Sequence, residues 1–289
     1  MGSSGGKILL LGGSGLVGTA IAKVFAEAGY RVDAPSHQDF DLNELDNIVP
    51  AVETRAPELI INCAAMLGHE NCEQHPEAAL HLNALAPKQL AIASQKLGIS
   101  MVQISTSAVF DGRKLTPYVE SDQPAPVNMY GGSKYLGETF VQAYCSKAYI
   151  VRLPMVFGTS HNPNASFIEK MLRKLHSADT TVYASSDEVC SPVFNMQAAR
   201  TVLNILEEDE IGIFHVAGCD PVVIYDLVVT LSRLFDVKKN IVSVAHDFFG
   251  RKCALPLQGS LSALDEKNKY ENDEFESDVL GIFLNIKGV

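Results

Sequence analysis

A glycine-rich segment near the start of the chain constrains the fold more than any other feature. The pattern Gly12-x-x-Gly15-x-x-Gly18 comes directly after the apolar run 7–11 and leads into a stretch with helical periodicity, 19–29. A buried strand, a glycine turn and a helix, in this order, are the context of a dinucleotide-binding fingerprint. The glycines permit a tight turn and a close approach of the backbone to a pyrophosphate, which then lies on the helix N-terminus. A plain strand-to-helix turn is the alternative.

Strand and helix patterns continue to alternate through the first half of the chain. Further apolar strand patterns lie at 30–34, 58–65 and 100–105, separated by helical patterns that end near Arg55 and Leu97. Short apolar runs of this kind are typical of parallel strands buried on both faces. The sequence therefore predicts an α/β fold, a Rossmann-type doubly wound parallel sheet with a smaller, discontinuous substrate lobe.

The length of 289 residues is long for one compact domain and short for three. We assign residues 1–155 and 193–218 to the dinucleotide-binding Rossmann domain. Residues 156–192 and 219–289 form the predicted substrate-binding lobe, which ends in an acidic C-terminal segment. In that segment, 265–278 holds seven acids against two lysines and is expected to be solvated and mobile, whereas 279–286 is apolar and is expected to dock.

Charge and cysteine content narrow the function classes. The net charge of −11 argues against a general nucleic-acid or anionic-membrane surface, and no apolar run approaches the ~20 residues of a membrane span. The six cysteines lack the spacing of zinc ligands and indicate a reducing, cytoplasmic compartment. We expect no nucleic-acid or membrane partner, no metal, and a homodimer as a candidate assembly.

The end of the second predicted strand bears on the choice of cofactor. A carboxylate there would bind the ribose 2′-hydroxyl of NAD. The strand ends in Ala34-Pro35-Ser36-His37, without an acid, which favours NADP(H); because no arginine stands ready for a 2′-phosphate, NAD(H) stays open. Asp41 is a candidate acceptor for the adenine amino group, with a helix N-cap as its alternative role. Asn83, in a helix predicted over 76–97 with a kink at Pro87, is a candidate brace for the site.

Tyr130 and Lys134 form the candidate proton-transfer pair. They lie four residues apart in a predicted helix, so both side chains share one face. A free tyrosine has a pKa of about 10, and a neighbouring ammonium is expected to lower that pKa toward a useful range. The alternative is that Tyr130 and Lys134 are surface side chains whose spacing arose by chance. Thr106 and Ser107 follow the strand 100–105, at the sheet edge where α/β proteins place their chemistry.

Together these motifs resemble the extended short-chain dehydrogenase/reductase superfamily, and within it the dTDP-4-dehydrorhamnose reductase-like branch. The resemblance spans roughly residues 7 to 260. Besides the glycine turn and Tyr130-x-x-x-Lys134, it rests on Asp41-Leu42, Asn62-Cys63-Ala64-Ala65, Ser105-Thr106, Gly137-Glu138 and Arg152-Leu153-Pro154.

The resemblance implies an NAD(P)-dependent oxidoreductase that reduces a 4-keto sugar nucleotide in deoxysugar and polysaccharide precursor biosynthesis. Tyr130 would donate the proton, Lys134 would hold the ribose hydroxyls and lower the pKa of Tyr130, and Thr106 would bond the carbonyl oxygen. The implied cofactor contacts are Gly12, Gly15, Leu16, Val17, Gly18, Asp41, Leu42, Ala64, Ala65, Met66, Tyr130 and Lys134. The implied substrate contacts are Thr106, Ser107 and Met155.

Three departures from the family pattern leave the identity of the sugar substrate open. Ser107-Ala108 stands where an Asp-Tyr pair is usual, Met155 where the reductases carry a Trp, and Met66 where Tyr or His is frequent. Arg152-Leu153-Pro154 and the stretch 124–130 are also similar to the regulatory β subunit of methionine adenosyltransferase. A non-catalytic NADP-binding regulatory subunit is therefore the alternative function. An epimerase or dehydratase is a third hypothesis, although nothing marks its extra acid/base pair.

Overall fold

The computed structural model describes residues 5–159, 166–265, 270 and 272–287. Strands and helices alternate along the first half, as predicted. The elements there are β1 (Lys7–Leu11), α1 (Leu16–Glu27), β2 (Arg31–Asp33), α2 (Leu45–Arg55), β3 (Leu59–Asn62), α3 (His69–Gln74), α4 (Pro76–Leu80), α5 (Ala86–Leu97), β4 (Ser100–Thr106), α6 (Met129–Tyr144) and β5 (Ala148–Leu153). The second half adds β6 (Val156–Phe157), α7 (Phe167–Leu175), β7 (Thr181–Ser185), β8 (Val189–Cys190), β9 (Val193–Phe194), α8 (Asn195–Glu207), β10 (Gly212–His215), β11 (Val222–Val223), α9 (Ile224–Leu234), β12 (Asn240–Val244) and α10 (Asn272–Lys287).

Six strands form one parallel sheet in the order β10-β5-β4-β3-β1-β2. The register pairs Leu11 with Asn62, and Asn62 in turn with Gln103, so the carboxyl ends of β1, β3 and β4 lie along one edge. The strand order reverses at β1, since β2 lies on one side of it and β3 on the other. A crevice opens outside the strand ends at such a switch point. The predicted doubly wound α/β fold is confirmed.

Helices cover both faces of this sheet. Because successive side chains of a strand point to opposite faces, Ile8 and Leu10 join the core beneath α1 and α8, whereas Leu9 and Leu11 join the core beneath α2 and α5. Burial on both faces explains why β1 and β3 each hold a run of three or more consecutive apolar residues. Among the described helices, none has the length and apolar character needed to cross a membrane.

Among the described residues, three two-stranded sheets lie outside the main sheet. Strands β7 and β12 pair in parallel, β8 and β11 pair antiparallel, and β6 pairs in parallel with β9. Strand β10 joins the main sheet beside β5.

The helix predicted over 76–97 is divided. A π-helical turn at His81–Leu85 separates α4 from α5, and Pro87 lies in the first turn of α5. The predicted kink at Pro87 is therefore displaced toward the N-terminus. Proline cannot donate to the carbonyl four residues earlier and its ring crowds that carbonyl, which here belongs to Asn83, in the middle of the widened turn.

The acidic segment 265–278 is not a solvated chain where the structure describes it. Tyr270 is buried and its hydroxyl donates to Asp278 at 2.5 Å. Phe275, Val279 and Ile282 share one face of α10 and are buried against the core. The expectation of a mobile segment was wrong for Tyr270 and Phe275, which are buried, although Glu274 and Glu276 between and beside them are exposed. Val279 and Ile282 belong to the stretch 279–286, which docks as expected. Residues 266–269 and 271 lie outside the described residues.

Candidate active site

The glycine turn brings the backbone of β1 against that of β3. Gly12 has a φ of +76°, and a Cβ atom there would lie 2.6 Å from the amide nitrogen of Ala64. A Cβ atom at Gly18 would lie 2.1 Å from the carbonyl oxygen of Gly12. Helix α1 begins at Leu16 without a side-chain cap or an acid in its first turn. Its first N–H groups, including that of Val17, lack intrahelical partners and suit an anion.

A cavity of about 650 Å³ lies in the crevice outside β1, β2 and β3. It is lined by Leu11, Gly12, Gly13, Ser14, Gly15, Ala34, Pro35, Ser36, His37, Phe40, Leu42, Asn43, Cys63, Ala64, Ala65, Leu67 and Leu82. The structure thus brings together Gly12, Gly15, Leu42, Ala64 and Ala65 of the predicted cofactor residues. The small residues that follow β1 and β3, Gly12 and Gly13 and then Ala64 and Ala65, leave the floor of this cavity open for a flat, extended molecule.

Asp41 is a predicted cofactor residue that does not line this cavity. Its carboxylate accepts from the backbone N–H and the side-chain amide of Asn43, at 2.8 and 2.9 Å. These bonds hold the pKa of Asp41 below its usual value. The alternative role is not found either, because α2 begins at Leu45 and Glu44 is its N-cap. Leu42 and Asn43, the residues that follow Asp41, line the cavity in its place.

The acid of β2 is turned away from the cavity. Asp33 receives two hydrogen bonds from Arg55, at 3.1 and 3.0 Å, and lies 3.7 Å from Lys7. The prediction that the second strand ends without an acid was wrong, because β2 ends at Asp33. The segment that lines the cavity, Ala34 to His37, carries no carboxylate.

Tyr130, Lys134 and Thr106 converge at the carboxyl end of β4. Asn128 caps α6 by accepting from the N–H of Gly131 at 3.0 Å, which fixes the first turn of the helix. The hydroxyl of Thr106 acts on that of Tyr130 and opposes a rise in its pKa. Lys134 is only 4% exposed, and its Nζ donates to the carbonyl oxygen of Ile104 at 2.6 Å.

The pKa values of this pair differ from the prediction. Burial raises the pKa of Tyr130 to about 12, and the hydrogen bond with Thr106 only partly opposes that rise. Burial lowers the pKa of Lys134 to about 8, while the charge of Glu138 opposes the change. The expectation that Lys134 lowers the pKa of Tyr130 was wrong, because desolvation dominates and the ammonium is directed at Ile104.

Asn83 braces the loop after β3, as predicted. Its side-chain oxygen accepts from the N–H of Met66 at 2.8 Å, and its amide nitrogen donates to the Met66 carbonyl at 3.1 Å and to the Ser133 hydroxyl at 3.0 Å. One side chain therefore ties Met66 to the helix that carries Tyr130.

A buried charged network behind the site was missed. Glu138 and Arg152, both 1% exposed, form an ion pair with Nη2 2.7 Å from Oε2, and Ser105 also donates to Glu138. His215 Nε2 lies 3.5 Å from Arg152, and its Nδ1 lies 3.2 Å from the carbonyl oxygens of Tyr118 and Ser262. Burial lowers the pKa of His215 to about 4, so the ring is neutral at pH 7. Charged residues within apolar helix and strand patterns were the available signal.

A second cavity, of about 380 Å³, lies on the substrate-lobe side of Tyr130. It is lined by Gly68, His69, Glu70, Asn71, Glu188, Arg251, Leu255 and Pro256. Neither Ser107 nor Met155 belongs to this lining. Ser107 lies in a 3₁₀ turn, where its carbonyl accepts from Phe110 at 3.1 Å, and Met155 packs against the core. The sequence did contain a signal for this second cavity, which was missed: the polar run that follows the small residues after β3.

The part of the chain that the structure describes holds no cluster of three acidic, histidine or cysteine side chains that could bind a metal ion.

Comparisons with known proteins place these features in context. A family model described as the RmlD substrate binding domain matches residues 6–280. The structure of a dTDP-4-dehydrorhamnose reductase ortholog from Clostridium acetobutylicum is similar with a TM-score of 0.89 and 28% identity, over 98% of this chain and all of that chain. A Bacillus anthracis dTDP-4-dehydrorhamnose reductase in complex with NADP gives 0.89 at 24% identity, over 97% of this chain and 99% of that chain. The methionine adenosyltransferase 2 subunit beta of Danio rerio is 28% identical over 80% of this chain and 74% of its own length.

Proposed function

We propose that this chain, which belongs to the RmlD substrate-binding domain family, is an NADP(H)-dependent oxidoreductase that reduces the 4-keto group of a nucleotide sugar. One observation carries the proposal: helix α6 brings Tyr130 and the buried Lys134 to the carboxyl end of β4, where Lys134 donates to the carbonyl oxygen of Ile104 and the hydroxyl of Thr106 acts on the phenol of Tyr130. A proton donor and a second hydroxyl for one carbonyl oxygen are what the reduction of a ketone needs.

The larger cavity fits a nicotinamide dinucleotide. The glycine turn and the uncapped start of α1 would hold the pyrophosphate. The wall formed by Ala34 to His37 carries no carboxylate that would repel a 2′-phosphate, which supports NADP(H) over NAD(H). When bound, the cofactor supplies the hydride.

The residues of this chain supply the proton and its environment. The raised pKa keeps Tyr130 a protonated phenol at neutral pH, the form that gives a proton from its hydroxyl to the oxygen of the reduced carbonyl. Thr106 orients that oxygen. The Lys134 ammonium, which donates to the carbonyl oxygen of Ile104, would hold the ribose hydroxyls of the cofactor beside Tyr130.

Compartment, domains and assembly are parts of the proposal. The six free cysteines support a reducing compartment such as the cytoplasm. We assign the nucleotide sugar to the lobe 156–192 and 219–289, and keep the homodimer as the candidate assembly.

A regulatory NADP-binding subunit is the competing function, and the likeness to a methionine adenosyltransferase subunit is the observation in its favour. It gives no account of why Tyr130, Thr106 and Lys134 converge.

The test is the oxidation of NADPH by the purified chain with dTDP-4-dehydrorhamnose, with NADH and sugar-free reactions as controls. We expect sugar-dependent oxidation that is faster with NADPH than with NADH. Tight NADPH binding without oxidation, for this and other 4-keto sugar nucleotides, would overturn the proposal and favour the regulatory subunit.

A further inference from the structure

The segment that follows β2 forms one wall of the larger cavity. Ala34, Pro35, Ser36 and His37 all line it. A Cβ atom at Gly13 would lie 2.9 Å from the Cβ atom of Ala34, so this segment abuts the glycine turn that would hold the pyrophosphate. In a dinucleotide fold the adenosine ribose lies at the end of the second strand. A phosphate on its 2′-oxygen would therefore lie beside Ser36 and His37.

A tight turn fixes the position of this wall. The N–H groups of Asp39 and Phe40 both donate to the carbonyl oxygen of Ser36 at 3.0 Å. The hydroxyl of Ser36 donates to the Asp39 carboxylate at 2.6 Å. Phe40 and Leu42, which follow the turn, line the same cavity and supply an apolar surface that suits an adenine ring. The turn thus places His37 next to the proposed site of the adenosine.

The carboxylates around this wall are engaged outside the cavity. Asp33, Asp39 and Asp41 precede or belong to the loop between β2 and α2, and none of them lines the cavity. Arg55 binds Asp33, the turn described above holds Asp39, and Asn43 binds Asp41. A 2′-phosphate would therefore not meet a carboxylate that lines the cavity.

The arginine near this loop is engaged as well. Nη1 of Arg55 donates to both carboxylate oxygens of Asp33, at 3.1 and 3.0 Å, and its Nη2 donates to the carbonyl oxygen of Asp39 at 3.3 Å. Its guanidinium carbon lies 5.8 Å from the centre of the Phe40 ring. Arg55 does not line the cavity, and among the described residues that do, His37 alone can carry a positive charge.

The side chain of His37 is accessible and has a partner that orients it. It is 72% exposed, and its Nδ1 lies 3.4 Å from Oδ1 of Asp41. A protonated imidazole donates from both ring nitrogens, so Nε2 can donate to a phosphate oxygen while Nδ1 faces Asp41. A neighbouring carboxylate and a bound phosphate both favour the charged form of the ring.

We propose that His37 is the residue that selects NADP(H) over NAD(H), because its imidazole, oriented by Asp41, binds the 2′-phosphate. The inference rests on the cofactor of the proposed function and is independent of the sugar. Asp41 acts through His37 and is a positioning residue.

The experiment titrates the wild type, His37→Gln and His37→Arg with NADPH and with NADH, without sugar, and follows the nicotinamide fluorescence. We expect His37→Gln to raise the Kd for NADPH by about 5- to 20-fold, since a charged hydrogen bond to the phosphate is lost. The Kd for NADH should not change, because NADH lacks that phosphate. His37→Arg retains a cation and should bind NADPH at least as tightly as the wild type.

His75→Gln is the matched control, because His75 is exposed and lies at the end of α3, outside the lining of the cavity; it should keep both affinities. An unchanged Kd for NADPH in His37→Gln, or an equal loss for both dinucleotides, would overturn this inference and leave the proposed function intact. Failure of His37→Arg to bind NADPH tightly would also overturn it. If the wild type binds neither dinucleotide, the proposed function and this inference fail together. The expected affinities without any sugar-dependent oxidation would support this inference and count against the reductase.

Discussion

Lys134 directs its ammonium at the backbone carbonyl of Ile104, 2.6 Å away, and not at the phenol of Tyr130. Burial determines the direction in which the pKa values of Tyr130 and Lys134 shift. Desolvation disfavours the charged form of each group, so the pKa of Tyr130 rises to about 12 and that of Lys134 falls to about 8. Both shifts favour a protonated tyrosine, which suits reduction of a ketone.

The lowered pKa of Lys134 predicts an alkaline limit to activity. Below a pH of about 8 the ammonium is charged and supports the reaction, and above it the charge is lost. The pH profile of kcat/KM should therefore fall above a pH of about 8. Lys170→Met, at an exposed position on α7, should keep the same limit. A wild-type profile that stays flat up to pH ~10, near the ordinary pKa of lysine, would contradict this assignment.

Sequence patterns identify candidate side chains better than their partners. The positions of Tyr130, Lys134 and Thr106 followed from spacing and from strand ends. The bond from Lys134 to Ile104 and the bonds from Asn43 to Asp41 depend on backbone geometry that spacing does not specify. The contact of His69 with Tyr130 depends on the packing of α3 against α6, which joins segments about 60 residues apart.

At the scale of elements, α6 can approach its neighbours closely because it carries glycines. A Cβ atom at Gly137 would lie 2.2 Å from the carbonyl oxygen of Asn83, whereas a Cβ atom at Gly132 would meet nothing within 4 Å. The contact at Gly137 brings the π-helical turn of Asn83 against the helix of Tyr130.

The two glycines give opposite predictions. Gly137→Ala should destabilise the protein by about 1–3 kcal/mol, because a methyl group is forced against backbone. Gly132→Ala should stabilise it by up to about 1 kcal/mol through helix propensity. Urea unfolding of both variants measures the difference. Equal effects of the two substitutions would show that the close approach of α6 does not matter for stability.

The elements were predictable where their patterns are long and apolar. β1 and β4 lie within a residue or two of their predicted bounds. The π-helical turn was not predictable. Pro87 indicates that the helix is interrupted, but it does not specify whether the turn before it or the turn after it changes geometry.

At the scale of the whole molecule, the C-terminal helix completes the core on one face of the sheet. Phe275 and Val279 of α10 pack in the same core as Ile8 and Leu10 of the first strand. The two ends of the described chain therefore share one hydrophobic core.

This packing predicts that Phe275→Ala destabilises the protein by about 3–5 kcal/mol, since a large buried side chain is removed. Leu280→Ala, on the same helix but 42% exposed, should change stability by no more than about 0.5 kcal/mol. Thermal unfolding of both variants measures this. A small effect at Phe275 would mean that α10 does not pack as described.

The overall architecture followed from the sequence because one alternating pattern determines a doubly wound sheet. The smaller sheets did not follow, since β7 and β12 pair across more than 50 residues without any local signal. The acidic segment was misjudged because charge was weighed above the apolar spacing within it.

The most direct test of the central claim follows hydride from NADPH to C4 of dTDP-4-dehydrorhamnose, in the wild type and in Tyr130→Phe. NADPH deuterated at the transferred position marks the product, and fluorescence reports cofactor affinity. We predict deuterium at C4 in the wild type, a rate lower by roughly 100- to 10,000-fold in the variant, and NADPH affinity unchanged in both. Wild-type turnover that survives in Tyr130→Phe, or no deuterium transfer by the wild type, would contradict the account.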